Sequence, residues 1–473
     1  ATQTDYRRYN IQPDHPAIVK GKAGSPYAIK DYYDVDPDLA KDVPERMKEF
    51  ENLVQRTHRS GLKVIIDFVP NHVARQYHSD MQPDGTSQLG ANDDTNYAFS
   101  PYNNFYYIPQ SELHGQFDMK GAAAEPYKEF PAKATGNNRF DAYPNINDWY
   151  ETVKLNYGVD YVNGRIGHFN PVPGTWTKML DILLYWADKG VDGFRCDTAK
   201  HVEMASWKKL KDKCVSALKT WRENNPDKPG ANWQEDFWMT GEAWDKGVGY
   251  DKYYSQGGFD SMINFDTWGA GVLASSRVAG LYQNYADTIN TKEGFNALSF
   301  ISSHDALLTR GDTSEMIYNG SAFLLTPGGV QIYYGDESNR PMVDGLSFDG
   351  AGGSGRSLRS DMNCDSLDQT VLAHWQKVGQ FRHDHVAVGG GSNTMLSATN
   401  GVAFARTYDK NGISDKVAAV IGASSNTDIT LDVSSIWSDG QQLMNTYDQS
   451  SAIVTDGKVT FNSGENGTIL IQM

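Results

Sequence analysis

Short apolar runs rich in β-branched residues alternate with amphipathic stretches along much of the chain. Leu62-Lys63-Val64-Ile65-Ile66-Asp67-Phe68 has the pattern of a buried strand, as do Val191–Arg195, Trp238–Glu242, Leu298–Ile301 and Val330–Tyr334. Residues 44–60, with Pro44 suited to a first helical turn, and 176–189 carry helical periodicity. Strand–helix alternation sustained in this way predicts a parallel sheet wrapped by helices. Near-continuous apolar strands mean that both faces of that sheet are covered. A barrel and an open doubly wound sheet both satisfy the pattern. No Gly-x-Gly-x-x-Gly follows the first strand, which weighs against the nucleotide-binding version.

Two segments interrupt the alternation. Residues 73–143 are rich in Asn, Asp, Gly, Pro and Tyr and show no helical period, so they predict a functional excursion or small subdomain. After residue 386, Gly389-Gly390-Gly391-Ser392 leads into alternating runs at 401–406, 416–421 and 468–471. Turn signals at Asn411-Gly412, Asp456-Gly457 and Asn466-Gly467 punctuate this region, predicting an antiparallel β-domain. The expected division is 1–72 and 144–386 for the α/β domain, 73–143 for the excursion and 387–473 for the β-domain.

Composition narrows the partners. The 473 residues hold 43 Lys and Arg against 59 Asp and Glu, a net charge of −16, which excludes a nucleic acid held through its phosphates. An aromatic content of 12%, with 11 Trp and 26 Tyr, supports a packed core rather than disorder. Rings also stack on sugar faces, although most Trp and Tyr are core residues in any protein. Cys196, Cys214 and Cys364 form neither a disulfide framework nor a C-x-x-C motif. No apolar run approaches the ~20 residues of a membrane span. The opening Ala-Thr-Gln-Thr-Asp-Tyr-Arg-Arg has no apolar signal core, so the chain reads as cytosolic or already processed.

Several strands end in acids or histidines: Asp67 before Asn71-His72, Arg195-x-Asp197, Glu242, and His304-Asp305. In parallel α/β folds such groups gather on the face where ligands bind. Any one of them alone serves equally well as a helix cap or loop acid. Arg195 and Asp197, two apart on a strand, point to the same side, so the guanidinium can orient the carboxylate and hold it ionised. Glu242 lies among Trp238, Met239 and Trp244, an apolar setting that would keep it protonated as a general acid. Asp305 could supply a third acid that grips substrate hydroxyls. Paired carboxyls roughly 5 Å apart give retaining glycoside hydrolysis, and a wider gap gives inversion.

The motifs Asp67-Phe68-Val69-Pro70-Asn71-His72, Gly193-Phe194-Arg195-Cys196-Asp197-Thr198-Ala199-Lys200-His201, Gly241-Glu242-Ala243-Trp244 and Phe300-Ile301-Ser302-Ser303-His304-Asp305 resemble, in order, the four conserved regions of the α-amylase family, glycoside hydrolase family 13. Tyr143-Pro144-Asn145-Ile146-Asn147 and 329–337 resemble two weaker motifs. The resemblance implies a (β/α)8 TIM barrel with inserted subdomain B and a C-terminal antiparallel β-sandwich. It implies Asp197 as nucleophile, Glu242 as acid/base and Asp305 as transition-state stabiliser, with Arg195 orienting Asp197. Tyr27, His72 and His304 would contact the sugar at the cleavage subsite, and Lys200 and His201 the leaving-group side. The implied activity is retaining, endo-acting cleavage of α-1,4-glucans such as starch, glycogen or maltooligosaccharides, by a secreted or periplasmic monomer.

Two further expectations follow from the resemblance, and a third from the glycine content of one loop. Calcium would sit between barrel and subdomain B, held by Asn71, an acid of the closing motif and the backbone carbonyl of His201. Asn145 stands where that acid is usual, so one charge is missing. Asn92-Asp93-Asp94 could add charge, although a solvated loop explains it as well. The chain is expected to lack a first βα unit, with Tyr9–Pro13 ending the second strand, and the Gly-rich run 349–355 is expected to gate the site. The runner-up activity is a 4-α-glucanotransferase or a cyclodextrin- or maltooligosaccharide-active relative. A non-catalytic glucan-binding protein is disfavoured by the presence of all three acids, and a metal-dependent hydrolase by the lack of a second histidine at ligand spacing.

Overall fold

The computed structural model describes residues 4–21, 24–249, 252–267, 270–292, 294–305, 308–341 and 358–473. The Gly-rich run 349–355 therefore lies outside the described residues. These divide into two compact units, the first comprising residues up to Ala243 together with Lys252–Phe259, the second the remainder.

In the first unit the strands Ile65–Phe68, Gly193–Cys196 and Trp238–Gly241 lie parallel and adjacent in that order. Register places Asp67 opposite Arg195 and Arg195 opposite Thr240. Gly193 is required here, because a Cβ would meet the Trp238 carbonyl oxygen at 2.3 Å. The helix Gly174–Ala187 precedes the second of these strands and Met204–Asn224 the third. Met204–Asn224 buries Trp207, Leu210, Cys214, Leu218 and Trp221, the one-sided spacing of an amphipathic helix. The predicted helix over 44–60 begins as a 3₁₀ turn at Val43–Glu45, where Pro44 removes a donor, and becomes α-helical at Arg46–Arg59.

Asp192 fastens these elements. Its Oδ2 accepts from His58 Nε2 at 2.7 Å and from the Val64 amide at 2.8 Å, joining the helix Arg46–Arg59 to the entrances of two strands. Asp192 is only 3% exposed and His58 only 4%. Removing the carboxylate strands an imidazole and an amide in the core. We expect Asp192→Ala to lose about 3–5 kcal/mol in chemical denaturation, with Asp192→Asn losing less because it still accepts one bond.

Within the excursion, His72–Ala74 pairs antiparallel with Thr152–Lys154, so the ladder that closes it lies beyond residue 143. A buried pair, Arg75 NH1 to Glu129 Oε1 at 2.7 Å, braces it, with Arg75 Nε donating to the Tyr150 carbonyl. Residues Tyr9–Pro13 do not form a strand. Arg7–Tyr9 is a 3₁₀ turn closed by left-handed Asn10, and Ile11 makes one isolated bridge to Tyr6.

The second unit carries the parallel strands Ser261–Asn264, Asn296–Ser299 and Gly329–Val330 in that order. Two of the predicted runs shift. The strand read at 298–301 is paired over Asn296–Ser299, and Phe300 and Ile301 instead lead the chain, still buried, into the loop of His304 and Asp305. The run read at 330–334 ends its ladder early. Ile332 and Tyr334 are exposed, and the Tyr333 and Tyr334 hydroxyls bond the Leu358 and Ser360 carbonyls.

The C-terminal segment forms a six-stranded antiparallel sheet and a two-stranded sheet, Asp428–Asp432 with Lys458–Asn462. Ile429, Leu431, Val459 and Phe461 pack with Ala403, Ala405, Val420, Ile469 and Ile471, the interior of a β-sandwich. Phe404, Val417, Ala419, Ile421 and Leu470 join the helical core of this unit, with Phe323, Trp375 and Phe381. Both faces are covered, so the alternation expected at 401–406, 416–421 and 468–471 is replaced by side chains buried on either side. The predicted Asn411-Gly412 turn is realised with both residues at positive φ, 55° and 76°, as a two-residue hairpin turn requires.

Candidate active site

Parallel register carries the acids of the first unit to neighbouring strand ends. The Asp197 amide donates to the Phe68 carbonyl and the Glu242 amide to the Cys196 carbonyl, each at 2.9 Å, so both residues continue the ladders just past their strands. Arg195 NH1 donates to Asp197 Oδ1 at 2.7 Å and to the two Asp67 oxygens at 3.0 and 3.1 Å. Tyr27 Oη donates to Asp67 Oδ2 at 2.9 Å, with the Arg195 guanidinium 5.8 Å from the Tyr27 ring centroid. Glu242 Oε2 accepts from the Thr198 amide at 2.8 Å, where Thr198 takes a left-handed φ of 44°. Asp197 and Glu242 are buried, 6% and 7% exposed.

Burial sets the electrostatics. It pushes the Asp197 carboxyl up to about 7, with the Arg195 charge pulling it down and the Asp67 and Glu242 charges adding to the rise. The expected pairing with Arg195 is present, but desolvation outweighs it. Burial works against the Arg195 charge too, yet Asp67 and Asp197 raise it further above its ordinary value. His72 and His201 are each pushed down to about 3, first by burial and then by the Lys154 charge. Both imidazoles are therefore neutral donors or acceptors at neutral pH. His72 lies beside Trp149, with ring centroids 5.3 Å apart, while Lys200 on the same turn as His201 is exposed.

Asp305 belongs to the second unit. Its Oδ2 lies 2.8 Å from His304 Nε2, and its Oδ1 accepts from Arg359 NH2 at 2.8 Å. Arg359 Nε also donates to the His304 carbonyl at 3.1 Å. Behind this loop Ser302 Oγ donates to buried Asp336 at 2.5 Å and accepts from the Thr309 amide. Burial pushes Asp336 up to about 7.

Two of the side chains expected at a calcium site, those of Asn71 and Asn145, are engaged elsewhere. Asn71 Oδ1 accepts from Lys154 Nζ at 2.5 Å, while Asn71 Nδ2 donates to the Gly136 carbonyl and His72 Nδ1. Asn145 is turned into its own loop, its Oδ1 accepting from the Asn147 amide. Asp148, next in that loop, is held by Arg139 and Asn137. Asp93 is likewise committed, accepting from the Asn104 and Phe105 amides and the Tyr107 hydroxyl. Among the described residues, no group of three or more His, Cys, Asp or Glu side chains could hold a metal ion.

Sequence reading missed three participants. Asp67 was visible as a strand-end acid, but its shared grip on Arg195 and Tyr27 needs the strand register. Arg359 lies outside every motif. Lys154, flanked by Val153 and Leu155, carries no signal of its burial, because strand alternation puts it on the face opposite two apolar neighbours, where a lysine is ordinarily solvated.

The family description "Alpha amylase, catalytic domain" matches residues 15–377. A periplasmic α-amylase of Escherichia coli is 32% identical over 440 aligned positions, covering 83% of this chain and 59% of the relative. The chain spans about half the length of the curated relatives it matches, between 45% and 59% for three of the amylases. Among solved structures, an α-amylase from H. orenii superposes with a TM-score of 0.62 at 20% identity, covering 96% of this chain and 88% of its own. A cyclic α-maltosyl-(1→6)-maltose hydrolase from Arthrobacter globiformis superposes with a TM-score of 0.59 at 19% identity, covering 97% and 85%. These likenesses give the fold, a (β/α)8 barrel with a C-terminal β-sandwich. With motif order, strand-end acids and the match over residues 15–377 in agreement, the chain belongs to the α-amylase family, glycoside hydrolase family 13.

Proposed function

We propose that this chain carries the catalytic machinery of a retaining, endo-acting α-1,4-glucan hydrolase. The observation that carries this reading is the pairing of Arg195 with Asp197 at 2.7 Å, beside a Glu242 fixed through the Thr198 amide. One carboxylate is oriented by a cation and the other by a backbone amide, so the two side chains are held in separate positions for attack and for proton transfer. In the proposed cycle an Asp197 oxygen attacks the anomeric carbon as the glycosidic bond breaks, and the Glu242 proton passes to the departing oxygen. Glu242 then takes a proton from water, whose oxygen displaces Asp197 and restores the α-anomer. Asp305, positioned by His304 and Arg359, would hold sugar hydroxyls. Tyr27 and His72 would meet the same sugar, and Lys200 and His201 the leaving chain. The name of the Escherichia coli relative, a periplasmic α-amylase, supports a secreted or periplasmic location.

The test is digestion of soluble starch followed by proton NMR and a reducing-end assay. We expect internal cleavage, new reducing ends and α-anomeric products that mutarotate afterwards. Redistribution of chain lengths without new reducing ends would instead make the enzyme a 4-α-glucanotransferase, since transfer and hydrolysis share the glycosyl-enzyme. Initial β-anomers would overturn the retaining mechanism.

A further inference from the structure

The excursion is joined to the strand Ile65–Phe68 through the ladder His72–Ala74 with Thr152–Lys154, in which His72 and Lys154 are register partners. Lys154 is 2% exposed, and its Nζ rests on Asn71 Oδ1, the oxygen expected to face calcium. The Tyr161 ring centroid lies 5.4 Å from the same ammonium, offering a cation its electron-rich face. Asn71 has no freedom to turn, because its Nδ2 is engaged by Gly136 and His72. The carboxylate nearest the closing motif, Asp148, is spent on Arg139. A divalent ion brought to Asn71 would find no free carboxylate in that motif and the Asn71 amide oxygen already held by the Lys154 amine.

We propose that the Lys154 ammonium takes the place of the calcium ion at this joint, so that an internal cation ties the excursion to the barrel strand and no metal is needed there. Lysine supplies one charge and three donors from within the chain, and an asparagine oxygen with an aromatic face suits a monovalent cation. The joint is then assembled with the fold itself and is indifferent to chelators.

Thermal unfolding of the full chain, in millimolar EDTA and in millimolar calcium chloride, tests this together with Lys154→Met and Lys154→Asp. The parent is expected to unfold at the same temperature in both buffers. Lys154→Met should fall by ~5 °C or more, because Asn71 loses its partner in a buried site. Lys154→Asp should be equally weak in EDTA and recover by several degrees in calcium, since binding to the folded state alone stabilises it. A chelation-induced loss of several degrees in the parent would overturn the proposal, as would a Lys154→Met chain as stable as the parent. Should neither variant fold, the parent decides alone: equal unfolding temperatures with calcium absent by mass spectrometry of the metal content uphold the proposal, and a stoichiometric, chelatable calcium overturns it.

Discussion

Asp197→Asn is expected to abolish starch hydrolysis, by about 10⁴-fold or more, and at the same time to raise the unfolding temperature at pH 7.5. The first effect follows from removal of the proposed nucleophile. The second follows from burial, which lifts the Asp197 carboxyl from 3.8 to about 7 on folding. A carboxyl that holds its proton more tightly in the folded state favours folding at low pH. That advantage is lost as pH rises from about 4 to about 7, and above this range the ionised group is a constant burden. The two limits differ by about 4 kcal/mol at most, and coupling to Arg195 brings the realistic figure to about 1–3 kcal/mol. Asparagine keeps the shape and an oxygen for Arg195 while shedding the charge, so a rise of roughly 3–8 °C is expected by calorimetry. The same titration predicts an acid limb near pH 7 in kcat/KM of the parent, because the nucleophile must be ionised in the free enzyme. An acid limb near pH 4, together with a less stable Asp197→Asn chain, would show that Arg195 wins over burial after all.

How much of this was legible in the chain depends on the range of the interaction. The placement of Asp197 and Glu242 at neighbouring strand ends was legible because motif and strand end coincide, and the ladder bonds at Phe68 and Cys196 carry both residues just past their strands. The hairpin at Asn411-Gly412 was found because its turn chemistry is local. The strand ends were harder. Phe300 and Ile301 are as apolar as any strand, yet they serve as the buried root of a loop, and apolar pattern alone does not separate the two uses. The contact of Lys154 with Asn71 shows the opposite case, made by a residue far along the chain and brought across by the ladder with His72. Asp67, Tyr27 and Arg359 likewise acquire their roles through contacts between distant segments, which neither period nor motif encodes. The sign of the Asp197 shift was missed for a related reason. The sequence shows the partner two residues away and hides the burial.

Arg195→Met should be the most damaging substitution of a residue outside the catalytic acids. Arg195 NH1 is shared between Asp197 and both oxygens of Asp67, in a register that sets Asp67 and Arg195 opposite each other. Without it two carboxylates face one another, the Asp197 one almost fully buried and the Asp67 one partly open to solvent. Breaking a buried pair from one side costs about 3–5 kcal/mol, and the exposure of Asp67 moves the expectation toward the lower end, or roughly 6–10 °C in unfolding temperature. The remaining forces on Asp197, burial and the Asp67 and Glu242 charges, all act upward, so the acid limb of kcat/KM should move to higher pH. Hydrolysis at pH 7 should fall by about 10³-fold, through lost orientation and through protonation of the nucleophile. A second change separates these contributions. Adding Asp67→Asn to Arg195→Met removes the orphaned neighbour, so it should return part of the stability and move the acid limb back down without restoring the full rate. Arg195→Lys should keep the charge but lose the shared geometry, giving a smaller loss of stability with most of the loss in kcat. If Arg195→Met left the acid limb where it was, the guanidinium would be a packing element of the strand end, and the tuning of Asp197 would lie with burial, Asp67 and Glu242.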